Sequence, residues 1–316
     1  MGIMERLQTV IILGAVAFGF LIGQVTVIEQ HADLFIVPFL LLMLYGLFLT
    51  IPLDEIKKAF LNVKFLSAST AINFIWTPIF AWALGAVFLA DYPALWIGFI
   101  MLMVTPCTDW YLMFTGIARG NVALSTSILP INLILQVLLL PVYLLIFTGT
   151  IWSIPISTLV ESIFVVLVIP FALAHLTRFL FRKNTPVLSK RLIPFFSSAQ
   201  MIFLSLAITA MFASQGSILM ENLHIFYILI IPVLVYFVIN YMVGDLTGRL
   251  MKFPLADRVS LKLTILARNS PVALAIAVTA FPDEPLISLA LVIGPLIELP
   301  VLVLISQFMI LTRKNG

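Results

Sequence analysis

Long apolar stretches alternate with short polar loops along the whole chain. Each stretch is long enough to cross the hydrocarbon core of a bilayer, which takes roughly 20 helical residues for about 30 Å. The pattern therefore predicts an all-α polytopic membrane protein built as a single transmembrane domain. Its ten predicted membrane-spanning segments are residues 7–27, 34–52, 63–90, 94–117, 122–148, 160–181, 193–214, 223–243, 258–281 and 286–311.

Lysine and arginine residues in the loops test this number independently, because short cytoplasmic loops collect them. They occur only in alternate loops, at Arg6, Lys57, Lys58, Lys64, Arg119, Arg178, Arg182, Lys183, Lys190, Arg191, Arg249, Lys252, Arg258, Lys262, Arg313 and Lys314. The remaining loops carry only acidic charges. The alternation supports ten segments and predicts that both termini are cytoplasmic, in a protein of the cell membrane.

Two of the predicted helices are interrupted near their middle, the fourth at residues 105–109 (TPCTD) and the ninth at 268–271 (RNSP). Pro106 and Pro271 are 165 residues apart, and Pro130 and Pro295, one helix later in each half, have the same separation. Five helices per half would give the halves opposite orientations, so we predict an inverted repeat of about 1–150 and 151–316. Broken helices at corresponding positions of such halves are typical of a transporter site at the bilayer midplane.

Polar residues at the two breaks are candidate substrate ligands. Thr105 and Pro106 suit the N-cap and first position of a half-helix, and Ser270 and Pro271 repeat this arrangement. We expect the two breaks to cross near the membrane centre, so that two positively polarised helix N-termini approach one another. The candidate substrate-binding residues are Thr105, Cys107, Thr108, Asn269 and Ser270.

Three ionisable residues lie within the predicted spans, namely Asp109, Arg268 and Glu298. A charge at this depth is costly, so it needs a partner or a function. We predict that the crossing brings Asp109 within ion-pair distance of Arg268, in a coupling network with Glu298 in which a proton is the coupling ion. A static bridge that only holds the broken helices together is the alternative. Candidate polar lining, for which a simple interhelical hydrogen bond is the alternative, comes from Asn73, Asn132 and Gln136.

Composition excludes most other classes of protein. Hydrophobic residues make up 62% of the chain and charged residues only 10%, whereas soluble domains carry about 25% charge. The net charge of +3 requires no nucleic-acid partner, because basic residues on one membrane face are attracted by anionic lipid. No HExxH or GxSxG motif is present. We therefore predict a transporter without a cofactor, not an enzyme, with a channel or a non-transporting receptor as the alternative.

Two stretches resemble known transporters. Residues 118–125 (ARGNVALS) resemble sodium/bile acid symporters, and residues 292–301 (VIGPLIELPV) resemble arsenite efflux permeases. The similarity spans all ten segments, so the chain is identified as similar to the superfamily that joins these two groups, with the arsenite permeases closer. In the register set by residues 118–120, Cys107 matches the segment-4 cysteine of arsenite permeases, and Glu298 matches their segment-10 glutamate.

The chain departs from both groups at the two breaks. RNSP at residues 268–271 stands where arsenite permeases carry an asparagine pair and a glutamate. Tyr111 and Leu112 replace the Ser-Asn pair of the symporters' sodium site, and Thr264 and Arg268 replace its glutamate and glutamine. Because a guanidinium repels a cation, we expect no sodium coupling by the family's usual route.

The resemblance implies a secondary transporter, and we expect its substrate to be an arsenite-like metalloid that is exported. Cys107 supplies a thiolate, the soft ligand that suits a thiophilic centre; the alternative interpretation is that a buried cysteine acts as a small hydrophobe. The alternative substrate is a small organic anion, bile-acid-like or a carboxylate, with sodium or a proton as the coupling ion. Arg268 and two helix N-termini would bind such an anion.

Overall fold

The computed structural model describes residues 8–50, 60–108, 110–151, 161–162, 164–181, 185–221 and 224–314. These residues are helical almost throughout, which confirms the predicted all-α class. The main helices are α1 (Gln8–Ile22), α2 (Thr26–His31), α3 (Asp33–Thr50), α4 (Val63–Phe88), α5 (Pro93–Met103), α6 (Trp110–Ile117), α7 (Val122–Ile151), α8 (Phe164–Leu180), α9 (Ile193–Glu221), α10 (His224–Leu250), α11 (Leu255–Leu266), α12 (Ser270–Ala280) and α13 (Pro285–Lys314). Asp109 lies outside the described residues, as do the loop cations Arg6, Lys57, Lys58, Arg182 and Lys183.

Among the described residues, six helices have the length and apolar composition needed to cross a membrane, namely α3, α4, α7, α9, α10 and α13. Four shorter apolar helices, α1, α5, α8 and α12, coincide with the other four predicted segments. The protein is therefore a multi-pass membrane protein. Ten full spans stay a prediction, because α5 and α12 each cover only half of a segment.

The chain forms two compact units, the first built from Met1–Ile51, Pro155–Ile225 and Leu274–Ser288. Within it, α9 packs along α1 and α3, and α8 packs along α3. The approach of α1 to α9 requires small residues, because a Cβ atom at Gly19 or Gly23 would lie 2.6 Å from a carbonyl oxygen of α9. Close backbone contact of this kind drives helix association where lipid removes the hydrophobic effect.

The second unit, built from Pro52–Ile154, Phe226–Ala273 and Leu289–Gly316, contains both interruptions. Here α4 packs against α5 and α11, and α7 packs against α5, α6 and α11. Apolar side chains of α4, α7 and α11 form a buried cluster that includes Phe65 and Ile128. This packing fixes the helices that flank the two breaks.

The middle of α4 contains a π-helical turn at Ile72–Trp76. Such a turn changes the backbone hydrogen-bond pattern locally and is frequent at functional sites. The Phe74 carbonyl accepts a hydrogen bond of 2.6 Å from the Tyr143 hydroxyl, and the Trp76 indole donates one of 3.0 Å to Asn240. The turn is thus held from two neighbouring helices, and it carries the fully buried Asn73.

The ends of the four half-helices lie close to the predicted positions. The first break runs from the end of α5 at Met103 to the start of α6 at Trp110, and the second from the end of α11 at Leu266 to the start of α12 at Ser270. Ser270 and Pro271 therefore belong to the first turn of α12 and not to the unwound part.

The predicted role of Thr105 and Pro106 in starting the second half-helix was wrong, because residues 105–108 are not helical and the described part of α6 starts at Trp110. The Thr105 hydroxyl points backwards instead, 3.0 Å from each of the carbonyl oxygens of Met101 and Leu102. It therefore satisfies carbonyl groups that the end of α5 leaves without helical partners.

Gly85 lies at a close contact of α4 with α5, because a Cβ atom there would overlap the indole ring of Trp96. We expect Gly85→Ala to destabilise the protein by about 1–3 kcal/mol, the usual cost of overpacking. Thermal unfolding of the purified protein in detergent measures this. Gly116→Ala is the matched control, since its nearest neighbour would be Val122 Cγ2 at 3.8 Å, and it should raise stability by about 0.5–1 kcal/mol. Equal midpoints for the two variants would contradict the close contact.

Candidate functional site

The two breaks cross and pair through their backbones, within the second unit. Pro106 and Arg268 form an antiparallel bridge. The Cys107 N–H donates to the Ala267 carbonyl at 3.0 Å, and the Asn269 N–H donates to the Thr105 carbonyl at 2.7 Å. These bonds satisfy backbone groups that an unwound segment would otherwise expose in a membrane interior. The two breaks therefore meet, as predicted, and their position near the membrane centre stays a prediction.

Side chains reinforce the crossing. The Thr105 hydroxyl lies 3.2 Å from the Asn269 carbonyl, and the Asn269 amide donates to the Thr108 hydroxyl at 3.4 Å. Thr105, Thr108 and Asn269 are all buried, and Ser270 follows directly and is 8% exposed. The structure thus brings the polar candidates of both breaks together in one place.

Cys107 lies at the positive end of α6. Its side chain is only 3% exposed, and its Sγ atom accepts a hydrogen bond of 3.3 Å from the Trp110 N–H. A helix N-terminus carries a partial positive charge of about 0.5 and favours a negatively polarised ligand atom. The only thiol of the chain therefore lies within the first break, at the positive end of the α6 dipole.

Arg268 is 4% exposed and turns its side chain toward the C-terminal ends of α5 and α11. Nη1 donates to the Met103 carbonyl at 2.9 Å, and Nε donates to the Leu266 carbonyl at 3.2 Å. Nη2 donates to the Ile265 carbonyl and, at 3.1 Å, to Oδ1 of Asn73. A positive charge is therefore placed at the negative ends of two half-helices, where it is stabilising.

Glu298 of α13 reaches the break between α11 and α12. It is 4% exposed, and its Oε1 accepts a hydrogen bond of 2.8 Å from the backbone N–H of Arg268. The structure thus brings Arg268 and Glu298 together. Asp109 is not among the described residues, so its predicted ion pair with Arg268 stays a prediction.

The polar lining candidates fall into two groups. Asn73 contacts Arg268 directly. Asn132 and Gln136, on α7, are almost fully buried, yet the Asn132 amide nitrogen and both polar atoms of Gln136 have no hydrogen-bond partner in the part of the chain that the structure describes. Ser125 lies on the same helix face, 7 residues before Asn132 and 11 before Gln136, and its hydroxyl is also unpartnered there. We refer to Ser125, Asn132 and Gln136 as the polar stripe of α7.

Buried polar atoms without partners cost about 1–3 kcal/mol each unless water or a ligand satisfies them. The simple interhelical hydrogen bond proposed as the alternative therefore does not account for Gln136 within the described structure. The stripe offers donors and acceptors to a polar solute inside the second unit.

Sequence reasoning missed two kinds of site component. Tyr236 of α10 is fully buried, and its ring centroid lies 5.3 Å from the guanidinium carbon of Arg268, within cation–π range. The signal available for it was its position one helical turn before Asn240, on the same face of α10. The carbonyl oxygens around Arg268 had no signal, since every residue carries one.

The sequence that forms this site also matches a known protein family over part of its length. Residues 37–222, more than half of the chain, match the Sodium Bile acid symporter family. The chain belongs to this family. The matched region includes the first break, whereas Arg268 and Glu298 lie beyond it.

Relatives of this family member include arsenical-resistance proteins. The chain is 26% identical over 281 residues to the arsenical-resistance protein Acr3 of Corynebacterium glutamicum, covering 84% of this chain and 75% of that protein. It is 24% identical over 340 positions to Acr3 of Alkaliphilus metalliredigens, covering 99% and 94%. An uncharacterised transporter of Synechocystis, slr0944, is 25% identical over 214 residues, or 66% of this chain and 56% of the relative. The resemblance inferred from the sequence is thus confirmed, including its arsenite-permease side.

Proposed function

We propose that this member of the Sodium Bile acid symporter family is a secondary transporter that exports an arsenite-like metalloid without sodium coupling. The observation that carries the proposal is the position of Cys107, buried at the crossing of two broken helices and in contact with the N-terminus of α6. The similarity to two arsenical-resistance proteins supports the choice of substrate.

The chemistry of a single thiol fits transport of arsenite. Neutral arsenite, As(OH)₃, exchanges one hydroxyl for the Cys107 sulfur: one As–S bond forms, one As–O bond breaks, and the departing hydroxyl leaves as water with the thiol proton. Thr108 follows Cys107 directly in the chain, and its hydroxyl accepts a hydrogen bond from the Asn269 amide across the two breaks. We propose that these two groups, together with Thr105 and Ser270, supply hydrogen-bond partners for the two remaining As–OH groups. The described residues contain no group of three His, Cys, Asp or Glu that could hold a metal ion. In this proposal the arsenic atom is bound to the protein by one reversible bond, to the Cys107 sulfur.

A small organic anion, the alternative substrate, would depend on Arg268. Three of its nitrogen atoms already donate to protein oxygens, and detaching them would leave carbonyl groups buried without partners. We therefore favour the metalloid.

We propose a proton as the coupling ion and Asp109, Arg268 and Glu298 as the coupling network. Glu298 holds the Arg268 backbone through a carboxylate oxygen, so a change in the charge of this carboxylate acts directly on the break. Arg268 keeps its charge throughout, because a guanidinium does not deprotonate in proteins.

For the topology we propose ten spans in two inverted repeats, about 1–150 and 151–316, with both termini cytoplasmic in the cell membrane. The antiparallel pairing of the two breaks supports this arrangement, since helices that correspond in inverted halves run in opposite directions.

Flux through the purified protein in liposomes tests the proposed function. We expect saturable arsenite transport that responds to a pH gradient and not to a sodium gradient. Saturation would separate a transporter from a receptor, and turnover would separate it from a channel. Flux of a bile acid or a simple carboxylate in the same preparation, with none of arsenite, would overturn the metalloid proposal.

The polar stripe of α7 leads to a prediction in which stability and activity change in opposite directions. Gln136→Leu removes a buried amide that has no partner among the described residues, so we expect the protein to become more stable by about 1 kcal/mol. If the stripe solvates the hydroxyl groups of the substrate, arsenite flux should fall. Thermal unfolding and liposome flux measure the two effects.

Gln200→Leu is the control for the stripe, because the Gln200 amide donates to the Thr50 hydroxyl at 3.0 Å. Removing that partnered amide should lower stability. A Gln136→Leu variant that transports arsenite as well as the parent would show that the stripe takes no part in the pathway.

A further inference from the structure

The guanidinium of Arg268 lies in a cage of neutral oxygen atoms. Three are main-chain carbonyls at the C-terminal ends of α5 and α11, from Met103, Ile265 and Leu266, and the fourth is Oδ1 of Asn73. None of the four belongs to a carboxylate. Arg268 is 4% exposed, so bulk water does not share in holding this charge.

An oxygen cage of this composition is the kind that binds an alkali cation. Carbonyls at half-helix C-termini and in unwound segments coordinate sodium in transporters with broken helices, and hard cations prefer oxygen ligands. Two helix C-termini each carry a partial negative charge of about 0.5, which together match one elementary positive charge. Without a cation, the converging carbonyl dipoles would repel one another.

We propose that the Arg268 guanidinium is a permanently attached substitute for a monovalent cation, occupying a site that would otherwise bind a free alkali ion. The crossing of the breaks is then complete without sodium or potassium, and removal of the side chain converts the cage into an alkali-cation site. This inference rests on the proposed function only for the absence of sodium coupling. It does not depend on the identity of the substrate.

The competing explanation is an ordinary helix cap, in which Arg268 stabilises the two C-termini and the vacated space has no affinity for ions. Both explanations predict that loss of Arg268 destabilises the protein. They differ in whether a small cation restores the thermal stability that is lost with the Arg268 side chain, and the experiment measures this difference.

The test compares the thermal unfolding midpoint of the purified full-length protein in sodium chloride and in choline chloride at equal ionic strength, about 0.3 M, so that screening is constant. Choline serves as the comparison because its charged nitrogen is enclosed by methyl and methylene groups and cannot be coordinated directly by carbonyl oxygens. We expect Arg268→Ala to unfold at a lower temperature than the parent in choline, and sodium to raise its midpoint by about 3 °C with saturation, as expected for a ligand present at about tenfold its dissociation constant. The parent should show equal midpoints in the two salts.

Two further variants serve as controls. Arg268→Lys keeps a positive charge within reach of the cage, and we expect its midpoint to be the same in both salts. Arg258→Ala removes another guanidinium of the second unit, one that pairs with Asp245 at 2.7 Å, and it should show no preference for sodium over choline.

The proposal is overturned if Arg268→Ala is equally stable, or equally unable to fold, in both salts, or if Arg268→Lys responds to sodium as strongly as Arg268→Ala. A sodium-dependent midpoint in the parent would also overturn it. Because no substrate is present in these measurements, a failure of the metalloid assignment leaves their outcome unchanged.

Discussion

Replacing Cys107 with serine is expected to abolish the arsenite resistance that the protein confers on a sensitive host. The serine hydroxyl can still accept the hydrogen bond that Sγ receives from the Trp110 N–H, so the crossing should keep its shape. A hydroxyl does not form the bond that a soft arsenic centre makes with sulfur. We expect arsenite flux to fall at least about tenfold, the factor that corresponds to about 1.4 kcal/mol of lost interaction. Growth in arsenite and flux in liposomes measure the effect at equal protein abundance.

Met103→Leu is the matched control for this experiment. Met103 is the last residue of α5 and is 1% exposed, so the variant removes a buried thioether close to the crossing while the thiol stays. Its resistance should equal that of the parent. Full resistance in Cys107→Ser would transfer our preference to the organic anion.

Replacing Glu298 with glutamine is expected to uncouple transport from the pH gradient. The glutamine carbonyl oxygen can accept the 2.8 Å hydrogen bond from the Arg268 N–H, so the variant should fold. An amide does not take up a proton near neutral pH, so the proposed coupling step, a change in the charge of residue 298, would be lost. Arsenite should still equilibrate across a liposome membrane, but an imposed pH gradient should no longer drive its accumulation.

Glu284→Gln provides the comparison, because Glu284 lies in the turn between α12 and α13 and not at the crossing. It should accumulate arsenite as the parent does. If Glu298→Gln retains accumulation driven by the pH gradient, Glu298 is a static partner of the break and the coupling ion enters elsewhere.

Several features of this protein were predictable from the sequence because the bilayer imposes strong rules. A span needs a long apolar run, and a polar or proline-containing interruption is tolerated only where its backbone groups find partners. The sequence therefore predicted that residues 105–109 and 268–271 lie against one another, and the pairing of Pro106 with Arg268 confirms this contact. The same rules drew attention to Arg268 and Glu298, since an ionisable residue at this depth is rare.

The partners of these residues were decided by the tertiary structure alone. The sequence indicated that Arg268 needed a compensating charge, and its ion pair with Asp109 stays a prediction. Among the described residues, the fold supplies partners that the sequence did not indicate, namely carbonyl oxygens at two helix ends. The sequence indicated that Thr105 would start a half-helix, whereas its hydroxyl closes the end of α5. The physical reason is the same in both cases: main-chain carbonyls are identical at every position, and only the place where each helix ends, set by packing, determines which of them lack helical partners and which side chains reach them.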